Sequence, residues 1–312
     1  MIALLVGAPM TPVLAAGYQP APGTNAVDFV RYEWHDIARN RDLPVKIYYP
    51  KAGVGPCPVI LFSPGLGSSR EAYGYLGEGW AAQGYVAVHL QHPGSDGSIF
   101  KNGDTEHAGA AMRAVLKEPQ HILDRAQDIS FAMDELARLN RENSPLQNRL
   151  DMSRVGLAGH SYGAAAVLIV MGERVPEVGE KYRDDRFRAA IAISPPIFRG
   201  LGFDDIRAPV LVMTGTQDAG FTRTWLRQTA YDKINSPGTC LVNFKGAGHF
   251  TFGDPLRASD NVKAEKFHPL ILAATIAFWD ARLREDPDAK SWLEQGGFKA
   301  WMKHAGKFEV KH

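Results

Sequence analysis

The sequence predicts an α/β fold, with a mostly parallel central sheet, an antiparallel N-terminal edge and helices on both faces. Short apolar runs at residues 58–62, 85–90, 155–158, 189–194, 210–214 and 239–244 are each bounded by Gly, Pro or polar residues. Helical patterns separate several of these runs, the alternation that parallel strands joined by right-handed crossovers require. Ahead of them, residues 27–49 read as a hairpin, which suits a sheet edge.

Composition bounds the class. Of 312 residues, 45% are hydrophobic and 22% charged, ordinary for a soluble globular chain and unlike a disordered or fibrous one. That length suits one large α/β domain, expected over residues 24–312, and no repeat, low-complexity tract or interdomain linker divides it. A net charge of +1 gives no electrostatic attraction for nucleic acid or an anionic membrane, so neither is expected as a partner.

Taken in order, Met1 to Ala16 is apolar, carries no charged side chain and ends in small residues of the kind a signal peptidase accepts. Its length and Pro9 and Pro12 exclude a bilayer span, so residues 1–16 are expected to be a signal peptide and the chain secreted or periplasmic. The hairpin follows, with aromatic and β-branched residues on either side of a polar turn at Asn40-Arg41-Asp42. Cys57 and Cys240 are the two cysteines; export would permit a disulfide, yet each begins a different strand and no spacing pairs them.

Residues 58–62 suit a buried strand running into the loop Ser63-Pro64-Gly65-Leu66-Gly67-Ser68-Ser69. Ser69 is placed to cap a helix with Glu71 in its first turn, and Gly84 to close it. After the strand at 85–90, Gln91 to Gln120 is polar with a short helix around 106–116; a segment that long outside the alternation either borders the site or runs over the surface. Pro119 opens a long helix whose Ile122, Ile129, Met133, Leu136 and Leu139 share one stripe at helical spacing, pointing to core packing. At the far end, residues 269–283 read as a last helix on the sheet and 290–307 as an amphipathic helix.

The stretch that carries chemistry is 154–165. An apolar run, Val155 to Ala158, meets Gly159-His160-Ser161-Tyr162-Gly163, and Ala-rich helix follows at 164–171. A Gly-x-Ser-x-Gly pattern between a strand and a helix has the context of a nucleophile elbow, where the flanking glycines remove side chains that would collide and strained backbone projects the hydroxyl. Such a serine needs a base, the base needs an orienting acid, and the oxyanion needs donors. The run 210–217 ends at Asp218, and 241–248 ends at His249, so Ser161, Asp218 and His249 stand in the Ser, acid, His order of this architecture. Asp205 and Asp254 are rivals for the acid and His268 for the base; His160 reads as elbow packing, pointing away along the turn. The oxyanion donors are expected to be the backbone N–H groups of Tyr162, after the nucleophile, and Leu66, in the loop after the strand at 58–62. No Cys/His cluster has zinc-ligand spacing and no His-Glu-x-x-His occurs, so no metal or cofactor is expected.

These motifs together resemble a known family. Ser63-Pro64-Gly65-Leu66-Gly67-Ser68-Ser69-Arg70, Gly84-Tyr85-Val86, His92-Pro93-Gly94-Ser95-Asp96, the elbow and His249-Phe250-Thr251-Phe252 are similar to α/β-hydrolases of the platelet-activating-factor acetylhydrolase and predicted dienelactone-hydrolase group. The similarity runs from the hairpin to the last sheet helix. It implies the α/β-hydrolase fold, Ser161 as nucleophile with Asp218 and His249, Leu66 and Tyr162 amides as the oxyanion hole, and cofactor-free cleavage of short or oxidised acyl esters. The chain departs from dienelactone hydrolases, which carry cysteine at the elbow, and no lipid-docking helix or large lid is evident, so an open site for small-molecule or exposed polymer esters is expected. Other acyl hydrolysis (amide, peptide, polyester) and a noncatalytic binding protein on the same scaffold are the alternatives.

Overall fold

The computed structural model describes residues 17–20, 22–52, 55–100, 107–198, 202–220, 222–255 and 258–312, the side chains of 258–261 excepted. The segment expected to be a signal peptide lies outside the described residues.

Among the described residues nine strands form one sheet: β1 (Val27–Asp36), β2 (Arg41–Pro50), β3 (Cys57–Ser63), β4 (Val86–Leu90), β5 (Leu150–His160), β6 (Phe187–Ile193), β7 (Val210–Gln217), β8 (Cys240–Gly248) and β9 (Gly306–Val310). Their spatial order is β1-β2-β4-β3-β5-β6-β7-β8-β9. The pairs from β4 through β8 are parallel, while β1 and β2 form an antiparallel edge as expected. The helices are α1 (Gly74–Ala82), α2 (Ala108–Lys117), α3 (Gln120–Leu139), α4 (Tyr162–Met171), α5 (Thr229–Lys233), α6 (Ala258–Arg282), α7 (Pro287–Glu294) and α8 (Gly297–Met302). No described helix is long and apolar enough to cross a membrane.

Both faces of the interior strands are buried, which is why β3, β4 and β6 read as continuous apolar runs, whereas the edge strand β1 alternates. Along β3, Val59 and Leu61 join the layer containing α3 and α4, while Ile60 and Phe62 join the layer containing α1, α6 and α7. Cys57 and Cys240 are buried, free thiols in these two opposite layers, and β5, β6 and β7 lie between their strands.

Four local expectations are corrected. The hairpin turn lies at 37–40, because Arg41 and Asp42 pair with Asp36 and His35 in the ladder and Asn40 takes the left-handed bend at φ 46°. Helix α1 starts at Gly74, not after Ser69: Tyr73 sits at φ 61° with its N–H held by the Asp254 carboxylate, and Glu71 turns to ion pairs with Arg31 and Lys46. Helix α6 begins at Ala258 and runs through Pro269, which costs a backbone bond but does not stop it. The expected helix over 290–307 is two short helices broken at Gly296 (φ 93°), followed by β9, which pairs antiparallel with β8 and gives the sheet a second antiparallel edge.

Candidate active site

The parallel strands β3, β5, β7 and β8 end at the same edge of the sheet, so the loops that follow them converge there. Ser161 follows β5 with φ 53° and ψ −121°, a region an L residue enters only when its surroundings force it. The force is visible on both sides. Its N–H still donates to the Ile193 carbonyl at 2.8 Å as if β5 continued, while its carbonyl already accepts from Ala165 N–H at 3.2 Å to start α4. The glycines make this turn possible: a Cβ at Gly159 would lie 2.7 Å from the Gly163 backbone, and one at Gly163 would lie 2.0 Å from the Ser63 carbonyl oxygen.

Ser161, Asp218 and His249, which stand far apart in the chain, meet here. Ser161 Oγ lies 2.9 Å from His249 Nε2, and His249 Nδ1 lies 2.9 Å from Asp218 Oδ1. An ionised carboxylate only accepts, so Nδ1 carries the proton and Nε2 is the free acceptor for the serine hydroxyl. Asp218 is fully buried yet satisfied: Ser194 Oγ donates at 2.5 Å, Thr214 Oγ1 at 2.9 Å, and the Arg227 guanidinium pairs with it at 2.9 Å. Burial pushes the carboxyl up, but the His249 hydrogen bond and the Arg227 charge outweigh it and hold Asp218 below its ordinary range. The rivals are engaged elsewhere. Asp205 pairs with Arg174, Asp254 holds Tyr73 N–H, and His268 stacks on Tyr75 and bonds the Gly253 carbonyl at 3.0 Å.

The loop after β3 borders the elbow, a Cβ at Gly65 lying 3.4 Å from His160 Nδ1. Gly67 N–H donates to Ser95 O at 2.9 Å and Ser68 N–H to Gly65 O at 3.2 Å, and the Gly65 amide lies on the Tyr73 hydroxyl. Among the described residues, the Leu66 N–H has no such acceptor, and neither has the Tyr162 N–H at the start of α4. Phe100 and Met112 border this loop: a Cβ at Gly67 would lie 2.5 Å from the Phe100 ring and 3.6 Å from Met112 Cε.

His160 does more than pack the elbow. Tyr73 Oη lies 2.8 Å from its Nδ1 and its Nε2 lies 3.1 Å from the His249 carbonyl, so a neutral imidazole links α1's first residues to the backbone of His249. Burial and the neighbouring His249 keep it neutral, well below the usual histidine range. Three other supports also escape sequence reasoning: Arg227, Arg125 and a second Ser-His-Asp set. In the latter, Ser63 Oγ lies 2.9 Å from His92 Nε2 and His92 Nδ1 lies 2.9 Å from Asp128 Oδ2, all three residues fully buried. Burial draws His92 down to about 4. Asp128 is held low because the His92 and Arg41 hydrogen bonds outweigh its desolvation.

Three relatives and one family match the chain. A platelet-activating factor acetylhydrolase of Cavia porcellus is 24% identical over 277 residues, covering 75% of this chain and 59% of that protein. Cutinase est2 of Thermobifida alba is 26% identical over 205 residues, covering 65% of this chain and 56% of its own length. A protein of Arthroderma benhamiae described as a probable 1-alkyl-2-acetylglycerophosphocholine esterase is 28% identical over 118 residues, 36% of this chain and 27% of that one. The chain thus spans less than two thirds of the length of these curated relatives. The family described as platelet-activating factor acetylhydrolase, isoform II, matches residues 38–254, from the hairpin turn through the loop after β3, the elbow, Asp218 and His249. With well over half of its length in that match and the α/β-hydrolase sheet beneath it, the chain belongs to the platelet-activating factor acetylhydrolase isoform II family.

Proposed function

We propose that this chain is a serine hydrolase of carboxylic esters, working through an acyl-enzyme. The observation that carries the reading is the continuous contact Asp218–His249–Ser161, at 2.9 Å and 2.9 Å, ending on a partly exposed hydroxyl at a strained elbow. His249 Nε2 takes the Ser161 proton as Oγ attacks the ester carbonyl, and Asp218 holds the ring in the required tautomer and stabilises the imidazolium. The Leu66 and Tyr162 N–H groups receive the oxyanion; one such donor is worth about 3 kcal/mol of transition-state stabilisation. The imidazolium then protonates the leaving alcohol, and a water activated by the same histidine releases the acid.

The family and the names acetylhydrolase and acetylglycerophosphocholine esterase among the relatives support an ester with a small acyl group. A polyester is the second reading, favoured by Phe250, which is 70% exposed and sets its ring edge-on to His249 at 5.5 Å. The apolar segment 1–16 supports export as the companion proposal.

Nitrophenyl esters of increasing acyl length, a polyester suspension and a fluorophosphonate probe test this. Expected are hydrolysis of the short esters, one phosphonyl group on Ser161 by intact mass, and a loss on the order of 10⁶-fold in turnover for Ser161→Ala. Normal turnover by that variant, or a folded chain that takes no label, would falsify the assignment.

A further inference from the structure

The loop that carries the Leu66 amide is gripped by one buried cation. Arg125, on α3, is fully buried, and its guanidinium donates to Pro64 O at 2.5 Å, Gly65 O at 3.4 Å, Ser95 O at 2.9 Å and Ser95 Oγ at 2.8 Å. Ser95 O is also the acceptor of Gly67 N–H, so the cation holds the loop on both sides of Leu66. The guanidinium carbon lies 5.0 Å from the centroid of the Tyr162 ring, the residue that carries the other candidate amide. Its hydrogen-bond partners among the described residues are neutral oxygens, and the nearby carboxylates of Asp128 and Asp96 act on it through space only.

Gly65 C=O and Leu66 N–H belong to one peptide group. In a trans peptide the two bonds point in opposite directions, so fixing the carbonyl fixes where the N–H aims. A positive charge on the carbonyl side also draws electron density through the amide and strengthens the N–H as a donor.

We propose that Arg125 is a positioning residue for the hydrolysis: it orients and polarises the Gly65–Leu66 peptide so that the Leu66 N–H is preorganised for the oxyanion. The inference rests on the serine-hydrolase reading above and adds to it a residue that touches neither substrate nor the reacting atoms. A preorganised donor acts on the transition state, so its loss lowers kcat and leaves KM nearly unchanged. Methionine fills the space with no donor; lysine keeps the charge but not the fork that spans four acceptors.

The experiment compares the full-length wild type with Arg125→Met and Arg125→Lys in three measurements: kcat and KM on nitrophenyl acetate, the affinity of a trifluoromethyl ketone whose hydrate oxyanion needs the hole, and the fluorophosphonate labelling rate of Ser161. Expected are a fall in kcat on the order of 10²-fold for Met and a smaller one for Lys, KM within about threefold, and ketone affinity falling in parallel with kcat/KM. If the Met variant does not fold, the Lys variant decides by the same readouts. A folded variant whose kcat and ketone affinity stay near wild type, or whose loss lies in KM alone, overturns the inference while the hydrolase reading stands. A wild type inert to ester and probe overturns both.

Discussion

Replacing Gly163 by alanine tests whether the geometry of the elbow, beyond the presence of a serine, makes the site. A Cβ at this position lies 2.0 Å from Ser63 O, 2.6 Å from Ser63 C and 2.6 Å from Pro64 O. All three are backbone atoms, so no side chain can swing aside. Restoring an ordinary contact requires the first turn of α4 and the end of β3 to part by about 1.5 Å. Those two segments carry Tyr162 and lead into Leu66, so the displacement opens the gap between the two proposed oxyanion amides directly. A shift of about 1 Å can cost about 10²-fold in rate, and overpacking a tight contact costs about 1–3 kcal/mol of stability. The expected result is a folded Gly163→Ala protein with kcat on a nitrophenyl ester down on the order of 10²-fold and an unfolding free energy lower by about 1–3 kcal/mol in denaturant titration. A kcat within threefold of wild type in a folded variant would show that the close approach of α4 to β3 does not set the hole.

Two further outcomes follow from the buried polar groups. Ser63→Ala removes the donor to His92 Nε2 where no water reaches, so it should destabilise by about 1–3 kcal/mol in denaturant titration while leaving kcat within about tenfold; turnover abolished at unchanged stability would mean the two serines have been assigned in reverse. The buried histidines should destabilise the fold on acidification before the ordinary carboxylates titrate, opposed by Glu173, which burial pushes up to about 8 and which therefore adds stability as pH falls. Burial holds His89 and His92 down to about 4, whereas the unfolded chain binds those protons from about pH 6.5, so between these values the unfolded state carries more protons and stability falls as pH falls. At pH 5 that amounts to about 2 kcal/mol for each histidine. Asp128 and Asp218, held low, add a stabilisation present above their ordinary pKa and lost only on further acidification. A stability flat from pH 7 to 5 in a Glu173→Gln variant, which lacks the opposing carboxyl, would contradict this.

The residues proposed to carry the chemistry were legible because each follows a strand, and a strand end shows in sequence as an apolar run breaking into Gly or polar residues, as at Gly215 to Asp218 and Gly246 to His249. Strand β9 was not: it buries only Phe308 deeply on an edge, and five residues behind a run of helically spaced aromatics read as more helix. The start of α6 was hidden by Pro269, because a proline usually marks a first turn and here sits eleven residues inside. Arg125 did leave a trace. It falls three residues after Ile122 and four before Ile129, so a charge stood on the stripe assigned to the core, and a buried cation needs acceptors. Arg227 left none, since it lies in a short 3₁₀ turn without periodicity.

The two Ser-His-Asp sets sharpen what makes a nucleophile. Both have the same pair of distances, 2.9 Å and 2.9 Å, and the same histidine tautomer. What differs is placement. Ser63 is a ladder residue of β3, opposite Gly159, and wholly buried, so its hydroxyl has nothing to attack. Ser161 stands one residue past its strand at φ 53°, partly exposed, with the Tyr162 N–H beside it. Asp128 is also paired with Arg39 and Arg41, both at 2.8 Å, which ties the buried set to the hairpin rather than to an open edge. Its histidine grips the last residue of β3, the one whose carbonyl abuts Gly163 and whose chain continues into Leu66. Hydrogen-bonded triads of equal geometry therefore differ by position: the buried one holds the strand end from which the proposed oxyanion loop departs, and the one at the elbow is the proposed nucleophile.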